Sequence, residues 1–134
     1  MLEIGGMRVD DLAKTYQTPL YVYDENQLRT RLKDYATLFQ SDDFETGVLY
    51  ASKAFSCCAM VKLVQEYGLC LDVVSGGEIY TAYKAGFDMT KAYFHGNNKS
   101  LDELQMAIDT KVGTIIVDNL MEAQALNEIA KKYD

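Results

Sequence analysis

Polar and ionisable residues follow four of the apolar runs in this 134-residue sequence, at the point where each run ends. Lys53 is the one best suited to nucleophilic chemistry, because alternation along an extended segment places Leu49, Ala51 and Lys53 on one face. A lysine that emerges from an apolar face loses hydration, and its neutral amine can then attack an aldehyde. The position predicts Schiff-base chemistry, although a lysine at the end of a strand is more often a solvated surface charge.

Asp72 is the second candidate, because it interrupts the otherwise apolar run Cys70-Leu-Asp-Val-Val74. An unpaired buried carboxylate is costly, so this side chain requires a partner. Two interpretations remain open. Asp72 pairs with a cationic Lys53 or an iminium on the neighbouring strand, or it accepts structural hydrogen bonds from the backbone or from a core tyrosine.

The turn Ser75-Gly-Gly-Glu78 supports two weaker predictions. Glu78 stands three residues after Ser75, which is the spacing of a capping box at the start of a helix. Gly76 and Gly77 could let backbone amides approach a phosphate group there, although the pair is too short for a phosphate-loop fingerprint.

The loop His95-Gly-Asn-Asn-Lys-Ser100 supplies the remaining candidates. Histidine can act as an acid or a base near neutral pH, although a lone histidine such as His95 is more often a packing residue. Asn97 and Asn98 tolerate left-handed turn geometry, and Lys99 is expected to be a solvated charge.

Short runs with high strand propensity alternate with helical patterns, and these elements must position the candidate side chains. Strands are predicted at residues 19–23, 47–52, 70–74, 92–95 and 113–117. Helical periodicity follows each of them, at residues 25–39, 60–67, 79–86, 101–110 and 123–130. Ser100 and Asn119 resemble Ser75 as helix caps, each with a glutamate three residues later. Repeated units of this kind build a parallel sheet, and ligands gather at the carboxyl ends of its strands.

Five such units are compatible with two α/β architectures. An open doubly wound parallel sheet accommodates them directly, whereas a closed eight-unit barrel needs about 250 residues. Periodicity alone therefore favours the open sheet. No linker or low-complexity tract divides residues 1–134, so we expect no domain boundary among them.

The composition narrows the classes of function. Thirteen basic residues against 20 acidic ones give a net charge of −7, which argues against nucleic acid or an anionic membrane as a partner. Three cysteines without pair spacing and a single histidine argue against a disulfide framework and a metal site. No apolar stretch is long enough to span a membrane and no secretory signal is visible, which favours a soluble cytoplasmic protein.

Four motifs give the sequence a family resemblance. They are Tyr50-Ala-Ser-Lys-Ala-Phe55, Leu71-Asp-Val-Val-Ser-Gly-Gly-Glu78, His95-Gly-Asn-Asn-Lys-Ser100 and Val117-Asp-Asn119. In order and spacing they resemble the amino-terminal part of the diaminopimelate decarboxylases, which belong to the alanine-racemase-like class of pyridoxal-phosphate enzymes. The resemblance extends from about Val9 to the end of the chain.

This resemblance implies a partial (β/α)8 TIM-type barrel in place of the open sheet, and pyridoxal 5'-phosphate as the cofactor. Residues 1–134 would form the amino-terminal portion of the barrel domain, without the carboxy-terminal β-domain of the family. By the resemblance Lys53 holds the cofactor covalently, and Asp72 lies close to that lysine in the cofactor site. Glu78 lies in the same wall, and the loop with His95 and Asn97 shapes the barrel mouth.

The implied activity is decarboxylation of meso-diaminopimelate to L-lysine, with an amino acid as the small-molecule substrate. We expect no turnover by this chain alone, because the later cofactor-binding and substrate-binding motifs of the family are missing from it. Another decarboxylase or a racemase of the same class, and a non-catalytic cofactor-binding module, remain as alternatives. An open half-barrel exposes strand edges and apolar faces, so homodimerisation or another form of self-association is expected.

Overall fold

The computed structural model describes residues 2–133, which form a four-stranded parallel sheet covered by helices, preceded by a small hairpin. The strands of the hairpin are β1 (Glu3–Ile4) and β2 (Met7–Arg8), and those of the parallel sheet are β3 (Leu49–Ala51), β4 (Cys70–Val73), β5 (Ala92–Phe94) and β6 (Thr114–Ile115). The helices are α1 (Val9–Tyr16), α2 (Glu25–Leu38), α3 (Cys58–Glu66), α4 (Gly76–Ala85), α5 (Leu101–Asp109) and α6 (Leu120–Ala130).

The order of strands in the parallel sheet decides between the two architectures. The order is β3-β4-β5-β6, so each new strand is added on the same side as the previous one. A doubly wound sheet reverses its order at a switch point, whereas a barrel adds its strands in succession. The described sheet has no reversal, and it therefore has the winding of a barrel.

The core lies between one face of this sheet and the helices. Alternate strand residues Leu71, Val73, Ala92 and Phe94 are completely buried on that face, as strand alternation requires. The helices pack in chain order, α3 against α4, α4 against α5, and α5 against α6. Residues of the opposite phase, such as Leu49, stay partly exposed. The sheet is thus covered by helices on one face and open on the other.

The predicted starts of α4, α5 and α6 are confirmed by their capping hydrogen bonds. The side chains of Ser75, Ser100 and Asn119 each accept a hydrogen bond from the backbone N–H three residues later. At the other end of α4, Gly86 has φ +77° and closes the helix in the left-handed conformation, a geometry that glycine adopts without steric cost.

The predicted strand at residues 19–23 is wrong. This segment lies outside the strands of the described residues, and Tyr21 is almost fully exposed. Pro19 has no N–H to donate to a ladder, and Tyr23 stacks on Phe55 instead, with ring centroids 3.9 Å apart. The hairpin and α1 had no counterpart in the sequence prediction.

Within residues 2–133 there is no helix whose length and apolarity would let it cross a bilayer.

Candidate functional site

The site lies at the carboxyl ends of β3, β4 and β5. The register aligns Ala51 with Asp72 and Asp72 with Tyr93, so these residues form one row across three strands. Lys53 stands two residues after Ala51, just beyond the end of β3, and His95 stands two residues after Tyr93, just beyond the end of β5. The parallel sheet therefore brings three of the predicted site residues, Lys53, Asp72 and His95, to one edge.

Lys53 lies in a single 3₁₀ turn, Ser52–Ala54, that begins as soon as β3 ends. Its residue is exposed, and Leu49 on the same strand is 38% exposed. The prediction that Lys53 emerges from a buried apolar face is therefore wrong for the described residues. The reason is that the helices cover only the other face of the sheet.

An aromatic wall supports the turn that carries Lys53. The hydroxyl of Tyr50 donates to the carbonyl oxygen of Phe55 at 2.9 Å, and the ring of Phe55 stacks on Tyr23. Partial burial raises the pKa of Tyr50, and the neighbouring Tyr23 and Cys57 add to the shift. Tyr50 is thus a neutral hydrogen-bond donor that fixes the chain just after Lys53.

Asp72 is half-buried and incompletely satisfied. Its Oδ1 is inaccessible to water and accepts no hydrogen bond within the described part of the chain. Nε2 of His95 lies 3.8 Å from Oδ1, and no ion pair joins Asp72 to Lys53 among the described residues. Within the described residues Oδ1 has neither an ion pair with Lys53 nor a structural hydrogen bond, so this oxygen is an acceptor that lacks a donor.

Glu78 does not complete the capping box that its spacing predicted. Its Oε2 accepts from the backbone N–H of Val74 at 2.5 Å, one residue before the cap Ser75. The carboxylate therefore holds the last residue of the strand end rather than the cap itself. Its local spacing could not distinguish these two amides, because they belong to adjacent residues.

The predicted phosphate-binding turn is occupied by a carboxylate of the protein. The N–H of Gly76 donates to Oε1 of Glu103 at 2.8 Å, and a Cβ at Gly76 would lie 3.0 Å from Cγ of Glu103. Glu103 also accepts from the N–H and the hydroxyl of Ser100. These hydrogen bonds, first that from Ser100 and then that from Gly76, lower the pKa of Glu103. Because Gly76 has no side chain, Glu103 can approach its N–H. A phosphate at this turn would be repelled by the negative charge of Glu103.

The loop after β5 separates the other candidates. Asn97 is exposed in this loop. Lys99, expected to be solvated, has a side chain that is 1% exposed and donates to Glu122 at 2.7 Å. Glu122 was predicted to form a capping box with Asn119. The side chain of Asn119 accepts from the N–H of Glu122, but the reciprocal bond from Asn119 to the Glu122 carboxylate is not formed among the described residues. Because 23 residues separate Lys99 from Glu122, no local pattern could have identified the pair.

The sheet has the winding of a barrel, and an accessible lysine, Lys53, follows its first strand. Sequence comparison identifies the family with these features. Residues 25–134 match the family model described as "Pyridoxal-dependent decarboxylase, pyridoxal binding domain". This match covers most of the chain, and the chain belongs to that family.

Relatives within the family are more specific. The chain is 51% identical over 131 residues to diaminopimelate decarboxylase of Bacillus subtilis and 50% identical to that of Halalkalibacterium halodurans. Each alignment covers 98% of this chain and 30% of the relative. The resemblance to diaminopimelate decarboxylases is confirmed, and the chain spans about 30% of the length of these relatives.

Solved structures give the same result for the fold. A diaminopimelate decarboxylase from M. jannaschii superposes with a TM-score of 0.83 at 32% identity, over 96% of this chain and 30% of that one. One from Helicobacter pylori, complexed with L-lysine, superposes with a TM-score of 0.79 at 27% identity, over 94% and 32%. The described sheet is the amino-terminal part of their barrel, and the open-sheet expectation is wrong.

The residues at the strand ends fit one end of pyridoxal phosphate. The exposed amine of Lys53 is accessible to a carbonyl group, and Oδ1 of Asp72 is a buried acceptor that lacks a donor. By contrast, the amides of Val74 and Gly76 at the start of α4 are already bonded to carboxylates. The described residues therefore fit the carbonyl end of the cofactor, and the start of α4 does not fit its phosphate.

Proposed function

We propose that this chain is the amino-terminal portion of a barrel domain that carries out pyridoxal-phosphate-dependent decarboxylation of meso-diaminopimelate to L-lysine. The observation that carries the proposal is the exposed lysine at the end of β3, Lys53, in a chain half identical to diaminopimelate decarboxylases. Because the chain spans about 30% of those relatives, we expect no turnover from it alone.

Lys53 and Asp72 are the residues that would hold the cofactor. Lys53 would hold the cofactor through Nζ, since a lysine amine can bond covalently to a carbonyl carbon. When bound, pyridoxal phosphate supplies an electron sink for the pair released on loss of carbon dioxide. Asp72 contributes a negative charge beside this point, and its free Oδ1 can accept a proton or a hydrogen bond there. Tyr50 keeps the Lys53 turn in place through its bond to Phe55.

Glu78, His95 and Asn97 have secondary parts in the proposal. Glu78 fixes the end of β4 through the N–H of Val74. His95 lies beside Asp72 and can donate to it after a small movement, since 3.8 Å separates the two atoms. Asn97 is assigned to the rim of the site, because it lies exposed in the loop after β5.

A chimera tests this proposal directly. The chain would replace the matching segment of the Bacillus subtilis enzyme, which is 51% identical to it. We expect the purified chimera with pyridoxal phosphate to release carbon dioxide and L-lysine from meso-diaminopimelate. The matched controls are Lys53→Ala, expected to be inactive, and Lys84→Ala on the exposed surface of α4, expected to be active. An active Lys53→Ala chimera would refute the role of Lys53.

A non-catalytic module that binds the cofactor is the second candidate, because an exposed lysine can bond to a carbonyl group without turnover. The two candidates differ in the chimera, because a module that has lost catalytic geometry would bind pyridoxal phosphate there without releasing carbon dioxide. Ornithine, arginine and lysine, offered to the same chimera, test for another decarboxylase of the class. An assay for change of configuration at the amino-acid substrate tests for a racemase.

The open edges of the sheet support self-association, as a homodimer in the simplest case. Within residues 2–133, β3 and β6 each have one neighbour only, and Ile116 and Val117 beyond β6 are 40% and 43% exposed. Unpaired edges and apolar faces favour pairing between copies. Sedimentation of the purified chain should show a dimer or larger species, and a stable monomer across concentrations would contradict this.

We also place the protein in the cytoplasm. Its three cysteines, Cys57, Cys58 and Cys70, are free thiols in the structure, as a reducing compartment would keep them. Fractionation of cells that express the chain, probed with an antibody, should recover it with the cytosolic marker.

A further inference from the structure

Lys99 occupies an unusual position for a lysine, in the loop between β5 and α5. Its side chain is 1% exposed, and that of its partner Glu122 is 6% exposed. Removing two charges from water is expensive, and apolar residues of similar volume often stabilise a protein equally well. A gain in stability alone therefore does not explain why Lys99 and Glu122 are buried as a pair.

The Lys99 ammonium group bonds to three acceptors from three different parts of the chain. Nζ donates to the carbonyl oxygen of Gly96 at 2.6 Å, to that of Ile116 at 2.7 Å, and to Oε1 of Glu122 at 2.7 Å. It also lies 5.5 Å from the ring centroid of Phe94. All three protons of the ammonium group are thus used.

The two carbonyl groups belong to the ends of neighbouring strands. β5 and β6 pair up to the bond from the N–H of Ile116 to the carbonyl of Phe94. Beyond that point, the carbonyl oxygens of Gly96 and Ile116 converge on one nitrogen. Two acceptors cannot bond to each other, so a donor between them is required to hold the strand ends together.

Glycine and the helix start complete this arrangement. Gly96 has φ +124°, a conformation that other residues rarely adopt, and it aims its carbonyl at Lys99. Glu122 lies in the first turn of α6, where Asn119 caps its N–H and the helix dipole favours a negative charge. The pair therefore connects the loop after β5, the end of β6 and the start of α6.

We infer that Lys99 is a positioning residue, which through Gly96 and Glu122 sets where His95 and Asn97 stand at the mouth of the site. His95 directly precedes Gly96, and its own N–H is bonded to Val73 of β4. The backbone of His95 is therefore held from β4 on one side and, through Gly96, by the Lys99 pair on the other. This inference deepens the proposed function, since it assigns how the rim beside Asp72 is held.

The test uses a spectroscopic signal that is independent of the cofactor. His95 is the only histidine in the sequence, so its imidazole C–H resonance in the 134-residue chain reports on this rim without ambiguity. The main variant is the double replacement Lys99→Met and Glu122→Met, which removes the pair at similar volume and is expected to fold. The matched control is Lys131→Met with Glu128→Met, an exposed pair at the end of α6.

We expect the double variant to keep its far-UV circular dichroism while the His95 resonance moves. The control should leave the resonance unchanged. An unchanged His95 resonance in a folded double variant would overturn the inference. If the double variant does not fold, Glu122→Gln takes its place, because it removes the charge of the pair, and the His95 resonance should again move. If neither folds, the pair maintains the fold itself and the positioning role is also overturned.

Activity in the chimera gives a second readout. Misplacing a reacting group by about 1 Å lowers the rate by up to roughly a hundredfold, so we expect kcat/KM to fall by about tenfold or more in the folded double variant. An inactive parent chimera would refute the proposed function and leave the histidine measurement to decide the role of Lys99.

Discussion

Glu103 joins two helix starts beside the site, and its replacement tests how the strand ends are held. Its carboxylate accepts from the N–H of Gly76 at 2.8 Å, the N–H of Ser100 at 2.9 Å and the hydroxyl of Ser100 at 3.0 Å. Glu103→Ala leaves two backbone donors without this partner, at about 1 kcal/mol each. We expect the free energy of unfolding to fall by about 2 kcal/mol, and by about 1 kcal/mol in Glu103→Gln, which keeps one acceptor oxygen.

The same carboxylate gives a pH dependence with a definite sign. The hydrogen bonds from Ser100 and Gly76 hold the pKa of Glu103 below its usual range in the folded state. Its stabilisation is therefore complete above the unfolded pKa of about 4.3 and is lost as pH falls through the lower folded value. The difference in the free energy of unfolding between the parent and Glu103→Gln should be constant from about pH 7 to pH 5 and should shrink below about pH 4.

Urea unfolding at a series of pH values measures both effects. Glu128→Ala is the matched control, because Glu128 forms an exposed pair with Lys131 and should change stability by less than about 0.5 kcal/mol. A loss of unfolding free energy in Glu103→Ala as small as in this control would refute the role of Glu103. A loss that is the same below about pH 4 as at about pH 7 would refute it as well.

Two further replacements test the packing that supports the sheet. Leu104 is 1% exposed in the core, so Leu104→Ala should lower the free energy of unfolding by about 3 kcal/mol, whereas Leu101→Ala, 64% exposed, should have little effect in the same urea assay. A Cβ on Gly113 would lie 1.9 Å from the carbonyl oxygen of Thr90, and Gly113→Ala should therefore cost about 3 kcal/mol by displacing backbone at the start of β6. Gly47→Ala meets nothing within 4 Å and is the control, and equal stability of the two glycine variants would contradict this account.

Much of the fold could be predicted because its signals are local. Four of the five predicted strands and all five predicted helices exist, and the caps at Ser75, Ser100 and Asn119 form as their spacing indicated. The strand prediction for residues 19–23 failed, because strand propensity does not provide a neighbouring strand to pair with. The choice of barrel over open sheet came from the family motifs, since periodicity is the same in both.

The site was less predictable, because its contacts join distant parts of the chain. Alternation identified the strand end that carries Lys53, but its exposure depends on which face the helices cover. The capping-box spacing suggested Glu78 and Glu122 as cap partners, yet each carboxylate bonds elsewhere, to Val74 and to Lys99. Spacing predicts which groups are near in sequence, and tertiary packing decides which of them pair.

The central claim is that Lys53 holds the cofactor, and chemical trapping tests it most directly. The chain would be incubated with pyridoxal phosphate, reduced with borohydride to fix the linkage, digested and mapped by mass spectrometry. The account predicts the pyridoxyl label on Lys53 and its loss in Lys53→Arg. A label on other lysines with none on Lys53 would contradict it.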